Sequence, residues 1–105
     1  MKEPVFRLTI PMQTRFRDTD AMGHINNAVY LTYLEVARQE YWSRVMGVSS
    51  YTDCGLILAR TEIDFRSPAF VGETLEVGIR ACRLGNSSFD FAYEIRDAQS
   101  GRLVA

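Results

Sequence analysis

Residues 28–46 read AVYLTYLEVARQEYWSRVM, and this stretch decides the fold. Tyr30, Leu34, Ala37, Tyr41 and Val45 recur every three or four residues as one apolar stripe, while Thr32, Glu35, Gln39 and Ser43 occupy the opposite side. That spacing matches the helical period and predicts an amphipathic helix over 28–46, about five turns long. Asn26 or Asn27 is suited to cap its start, because an amide oxygen accepts from an otherwise unpaired first-turn N–H. Gly47 supplies the residue that commonly ends a helix in a left-handed conformation.

Outward from the helix the period changes from 3.6 to two. Phe6, Leu8, Ile10, Met12 and Phe16 alternate with Arg7, Thr9, Gln13 and Arg15, which predicts a half-buried strand over 6–16. Pro11 lies on its polar side and cannot donate to a ladder, so this strand belongs at a sheet edge or a bulge. After a loop at 48–55, residues 56–66 place Ile57, Ala59, Thr61, Ile63 and Phe65 on one face and Arg60, Glu62, Asp64 and Arg66 on the other. Residues 74–84 alternate through Leu75, Val77, Ile79 and Ala81, and 88–96 through Phe89, Phe91, Tyr93 and Ile95, with Gly85-Asn86 as a hairpin turn between them. Residues 97–101 turn again, and 102–105 begin a further strand that reads as one cut short. The order is strand, long helix, then three to four antiparallel strands. That is a two-layer α+β domain occupying residues 1–105.

A chain of 105 residues accommodates one domain, and its formal charge of −1 lacks the basic surplus of an electrostatic nucleic-acid binder. No signal-peptide core follows Met1, and no run approaches the roughly 20 apolar residues of a membrane span. Cys54 and Cys82 are too few for a disulfide framework or a zinc site and read as reduced thiols of a cytoplasmic protein, with a single disulfide between them as the alternative. A domain this short buries only about two-thirds of its unfolded surface, so self-association is expected.

Reactive side chains concentrate in residues 18–27, DTDAMGHINN, which contain the sole histidine. This loop leads into the start of the helix, where unpaired N–H groups and the positive end of the dipole can polarise a carbonyl. Asp20 and His24 flank that position, and Gly23 lets backbone approach a ligand. A carboxylate, an imidazole and a helix start suit acyl transfer or dehydration chemistry. Asp18 and Asp20 are equally suited to capping turns, and the Asn26-Asn27 pair to a plain helix cap. There is no phosphate-cradling glycine loop, no serine nucleophile elbow and no metal-ligand spacing.

The run RDTDAMGHINNAVYL (17–31), followed by YLEVAR (33–38), closely resembles the hotdog-fold thioesterases, and more narrowly the 4-hydroxybenzoyl-CoA thioesterase branch. IDFRSP (63–68) and GETL (72–75) resemble the same family's second strand and following turn. The resemblance implies a long helix wrapped by a curved antiparallel sheet and an active site at a subunit interface of a homodimer or homotetramer. It makes Asp20 the catalytic carboxylate, as nucleophile or as base for water, and the backbone N–H near Asn27 the group that binds the thioester carbonyl. His24 matches the histidine of the plant acyl-carrier thioesterases, in which an Asn commonly stands where Met22 stands here. Gly23, Asn26 and Asp64 are candidate substrate contacts. The implied reaction is hydrolysis of an acyl-CoA to free acid and coenzyme A, without metal or redox cofactor and with arginines facing the substrate phosphates. The alternatives are an acyl-carrier-protein thioesterase or enoyl-thioester hydratase on the same fold, or a non-catalytic acyl-thioester-binding domain.

Overall fold

The computed structural model describes residues 6, 8–45, 47, 58–84 and 88–105. Strands β1 (Leu8–Gln13), β2 (Thr74–Leu84) and β3 (Phe89–Asp97) form one antiparallel sheet in the order β1-β2-β3, and helix α1 (Val29–Arg44) packs on β1 and β2. One long helix against an antiparallel sheet is the α+β arrangement that the change of period predicts.

Pairing register explains the core. Ile10 pairs with Val77, and Val77 with Ile95, so three branched apolar side chains line up across the sheet. All three are buried, as are Leu75 and Ile79 on the same face of β2, and Tyr30, Leu34 and Ala37 of α1 cover them. Each such burial stabilises by about 1.5–3 kcal/mol. Pro11 lies on β1, an edge strand of this sheet, where a missing N–H is tolerated. At Gly78 a side chain would collide with Phe6, whose Cβ and Cγ would lie 2.8 Å from an added Cβ.

The helix is shorter than its pattern. Ala28 occupies the cap position without a side-chain bond, and Asn26 organises the entry two residues earlier. Its Oδ1 accepts from the Ala28 N–H at 2.9 Å and its carbonyl from the Val29 N–H at 2.9 Å, because a short amide side chain reaches two residues onward. At the far end the stripe shifts. Val45 is exposed and Trp42 is buried, since the Phe89 and Phe91 rings of β3 meet the Trp42 ring at 5.5 and 5.8 Å.

Three readings need correction. Phe16 is 82% exposed, because β1 ends at Gln13 and the chain enters a 3-10 turn, Phe16–Asp18, which resets the alternation. Phe6 precedes the ladder and lies over Gly78 and Arg80, on the side of β2 opposite Val77 and Ile79. Residues 58–66 form no strand, since this run finds no ladder partner among the described residues. Its expected apolar face is correspondingly open, with Phe65 exposed and Ile63 only half-buried.

The last residues pair with the end of β3 and with residues 66 and 67. Leu103 bridges Arg96, and the buried Val104 donates to the Ile95 carbonyl at 2.8 Å. The Val104 carbonyl in turn accepts from Arg66 and Ser67, at 2.8 and 3.2 Å. Cys82 is a free, exposed thiol; Cys54, the 48–55 loop and the Gly85-Asn86 turn lie outside the described residues.

Candidate active site

Residues 18–26 close on themselves before α1 begins. Thr19 bridges Ile25, the Asp20 N–H donates to the His24 carbonyl at 2.8 Å, and the Asn26 N–H donates to the Asp18 carbonyl at 2.8 Å. The tip turns through Gly23 at φ +82°, a left-handed conformation that glycine adopts without strain. No protein atom beyond the glycine and its chain neighbours lies within 4 Å of where its Cβ would be, so the loop tip is open at this position.

Asp20 is exposed, and its Oδ1 accepts from the Met22 N–H at 2.8 Å and the His24 N–H at 3.2 Å. One carboxylate oxygen therefore shapes the turn, as the simpler reading of the sequence allows, and Oδ2 has no protein partner among the described residues. His24 is half-buried; its ring stands edge-on to Phe70 with centroids 5.1 Å apart, and its backbone bridges the same residue. The Phe70 segment is held from behind. The Phe70 N–H donates to Glu73 Oε1 at 2.7 Å, and Arg102 grips both oxygens of that carboxylate at 3.1 and 3.0 Å.

Asp20, His24 and Asn27 share a cleft of about 350 Å³ with Ile25, Tyr30, Phe65, Arg66, Ser67 and Pro68. The Asn27 N–H has no protein acceptor among the described residues, so a donor at the start of α1 remains available on this cleft. Tyr30 presents a phenol whose pKa is raised by burial, against the opposing effect of the Ala69 amide that hydrogen-bonds to it. The other candidates lie apart. Asn26 directs its side chain to its own backbone, and Asp64 is not in the cleft lining, its exposed side chain lying 3.7 Å from Arg66. A second cleft of about 340 Å³ holds Glu73 and Asp97, whose carboxylates are engaged by Arg102 and Ser100. Among the described residues no group of three His, Cys, Asp or Glu side chains gathers to hold a metal ion.

Composition gives no hint of what lies beneath the loop. Asp18 is only 3% exposed, and Tyr33 of α1 donates to its Oδ2 at 2.7 Å. Arg15 adds its backbone N–H, Nε and Nη2 to the same carboxylate at 3.1, 3.3 and 3.0 Å. Burial works to raise the Asp18 pKa, but the bonds from Arg15 and Tyr33 outweigh it and hold the carboxyl below its ordinary value. Burial, reinforced by the Asp18 carboxylate, pushes the Tyr33 phenol well up. The available signal was Tyr33 standing one helical turn after Tyr30, a polar-tipped aromatic on a buried face.

Residues 14–105 match the family described as the thioesterase-like superfamily. The fold superposes on a Thermus thermophilus thioesterase, solved with coenzyme A and Zn, with a TM-score of 0.84 and 34% identity over 95% of this chain and 78% of that one. A 1,4-dihydroxy-2-naphthoyl-CoA thioesterase from Synechocystis aligns with a TM-score of 0.83 and 27% identity, covering 91% and 73% of the two chains. The Bacillus subtilis protein YsmA is 26% identical over 82 residues, 78% of this chain; the chain spans 56% of that relative's length. With a helix-on-sheet fold shared at this level and a family match that runs from the end of β1 to residue 105, the chain belongs to the thioesterase-like, hotdog-fold superfamily.

Proposed function

We propose that the protein hydrolyses an acyl-CoA thioester to a carboxylic acid and coenzyme A. The observation that carries this reading is the gathering of Asp20, His24 and Asn27 on one cleft at the start of α1, with Asp20 Oδ2 open to a substrate. The Asn27 N–H and the helix dipole polarise the thioester carbonyl and stabilise the oxyanion. Asp20 then either attacks the carbonyl carbon, forming a mixed anhydride that water hydrolyses to release the acid and restore the carboxylate, or takes a proton from a water that attacks the carbon itself. In both routes the C–S bond breaks and the thiolate of coenzyme A departs and is protonated. His24 lines the same cleft and orients substrate or water. This chemistry needs no metal or redox group, and coenzyme A enters only as part of the substrate.

Support for the substrate class comes from the Thermus relative solved with coenzyme A and from the naphthoyl-CoA thioesterase of Synechocystis. Arg66, a lining residue with an exposed guanidinium, suits the anionic carrier, and Phe65 and Tyr30, with ring centroids 5.4 Å apart, offer apolar surface to an acyl group. We also propose a homodimer or homotetramer, supported by the strand-like run 58–66 that lacks a ladder partner among the described residues. Cytoplasmic residence is part of the same reading, in keeping with the free thiol of Cys82 and with the finding that no described helix is long and apolar enough to cross a membrane. Thiol release measured over a panel of aliphatic and aromatic acyl-CoAs tests the activity. Release from acyl-carrier protein alone would replace the carrier, and tight binding without release would leave a binding domain.

A further inference from the structure

We infer that Asp18, held by Tyr33, is a positioning residue that fixes the Asp20–His24 loop against α1. The inference rests on the proposed hydrolysis for its catalytic consequence, although its geometric content stands alone. Arg15 lies in the same turn as Asp18, so its bonds to the carboxylate stabilise that turn without tying it to anything else. Tyr33 differs. It belongs to α1, fifteen positions away in sequence, and its hydroxyl reaches Oδ2 at 2.7 Å inside the protein.

The Asp18 backbone carbonyl simultaneously accepts from the Asn26 N–H at 2.8 Å. Both limbs of the loop therefore converge on one residue, and that residue is bonded to the helix. Between the limbs lie Asp20 and His24; immediately after the second limb lies Asn27, which lines the same cleft. One buried carboxylate thus sets the relative position of the three groups that the reaction requires. Tyr30, one turn earlier on the same helix, lines that cleft, so a shift of the loop relative to α1 alters the distance between reacting groups directly.

Tyr33→Phe tests this, because it deletes the hydroxyl and keeps the buried ring. The backbone amides of Met22 and His24 report the loop, since both donate to Asp20. Their hydrogen exchange, measured in the full chain, is expected to accelerate at least about tenfold while the β2 and β3 amides keep their protection. Against the best acyl-CoA, kcat is expected to fall at least about tenfold with KM within about twofold, the signature of lost geometry rather than lost binding. Unchanged loop exchange overturns the inference, as does an acceleration shared equally by the sheet amides, which would make the bond a general stabiliser. If the parent protein releases thiol from no acyl-CoA yet the loop amides alone accelerate, the anchoring stands and the hydrolase reading fails. If the parent is active and Tyr33→Phe keeps its full kcat, the positioning role fails and the hydrolase reading stands.

Discussion

Asp20 Oδ1 accepts from the His24 N–H at 3.2 Å, so the carboxylate and imidazole proposed to act together are linked through backbone. Among the described residues neither Oδ2 nor an imidazole nitrogen has a hydrogen-bond partner. The backbone link means that Asp20 has a structural half and a chemical half, which substitution can separate.

Asp20→Asn retains an Oδ1 acceptor for the Met22 and His24 amides and loses the charge. Turnover is expected to drop at least about a hundredfold, the usual consequence of losing a general base or nucleophile. Melting temperature should stay within a few degrees, because the side chain is exposed. Thiol release and thermal melting on the same preparation check both halves.

Asp18→Asn behaves differently, because its carboxylate is buried. An amide cannot match the carboxylate that takes four donor contacts from Arg15 and Tyr33, and it leaves a buried site imperfectly paired. A loss of about 1–3 kcal/mol is expected. Urea unfolding reads it as a lower midpoint with an unchanged slope.

Acid stability follows from two carboxylates. Asp18 is lowered in the folded state by its bonds from Arg15 and Tyr33, and Asp97 is lowered chiefly by the hydroxyl and amide of Ser100. A folded pKa below the unfolded one means that the unfolded chain binds protons first on acidification. The stabilisation is therefore complete above the ordinary value of 3.8 and disappears as pH falls from there through the lowered folded values. Melting curves across that window should show a steep acid limb, shallower in Asp97→Asn. An unchanged limb in that variant would remove Asp97 from the account.

Gly78→Ala places a methyl 2.8 Å from Phe6 Cβ and Cγ, atoms close to the backbone that cannot swing aside easily. Overpacking of this kind costs about 1–3 kcal/mol. Combining it with Phe6→Ala should recover part of that loss, so a double-mutant cycle by thermal unfolding should be non-additive.

Local pattern determined much of this protein. The stripe of α1, the alternation of β2 and β3, the edge position of β1 and the reactive loop all follow from periods and side-chain chemistry within a few residues of one another. Thr32, Glu35, Gln39 and Ser43 are exposed as the helical period requires. Tertiary structure decided what depends on residues far apart in the chain. Whether Phe16 faces core or solvent depends on where β1 loses its partner, and whether 58–66 becomes a strand depends on a neighbouring ladder. Trp42 is buried because β3 carries its aromatics to that end of the helix. Asp18 and Asp20 are identical in type and two positions apart in the same loop, yet Asp18 is buried and bonded by Arg15 and by Tyr33 of α1, whereas Asp20 is exposed and lines the cleft. A hydrogen bond across fifteen residues leaves no periodic trace in the sequence, which is why the burial of Asp18 beneath an exposed Asp20 is legible only in the folded chain.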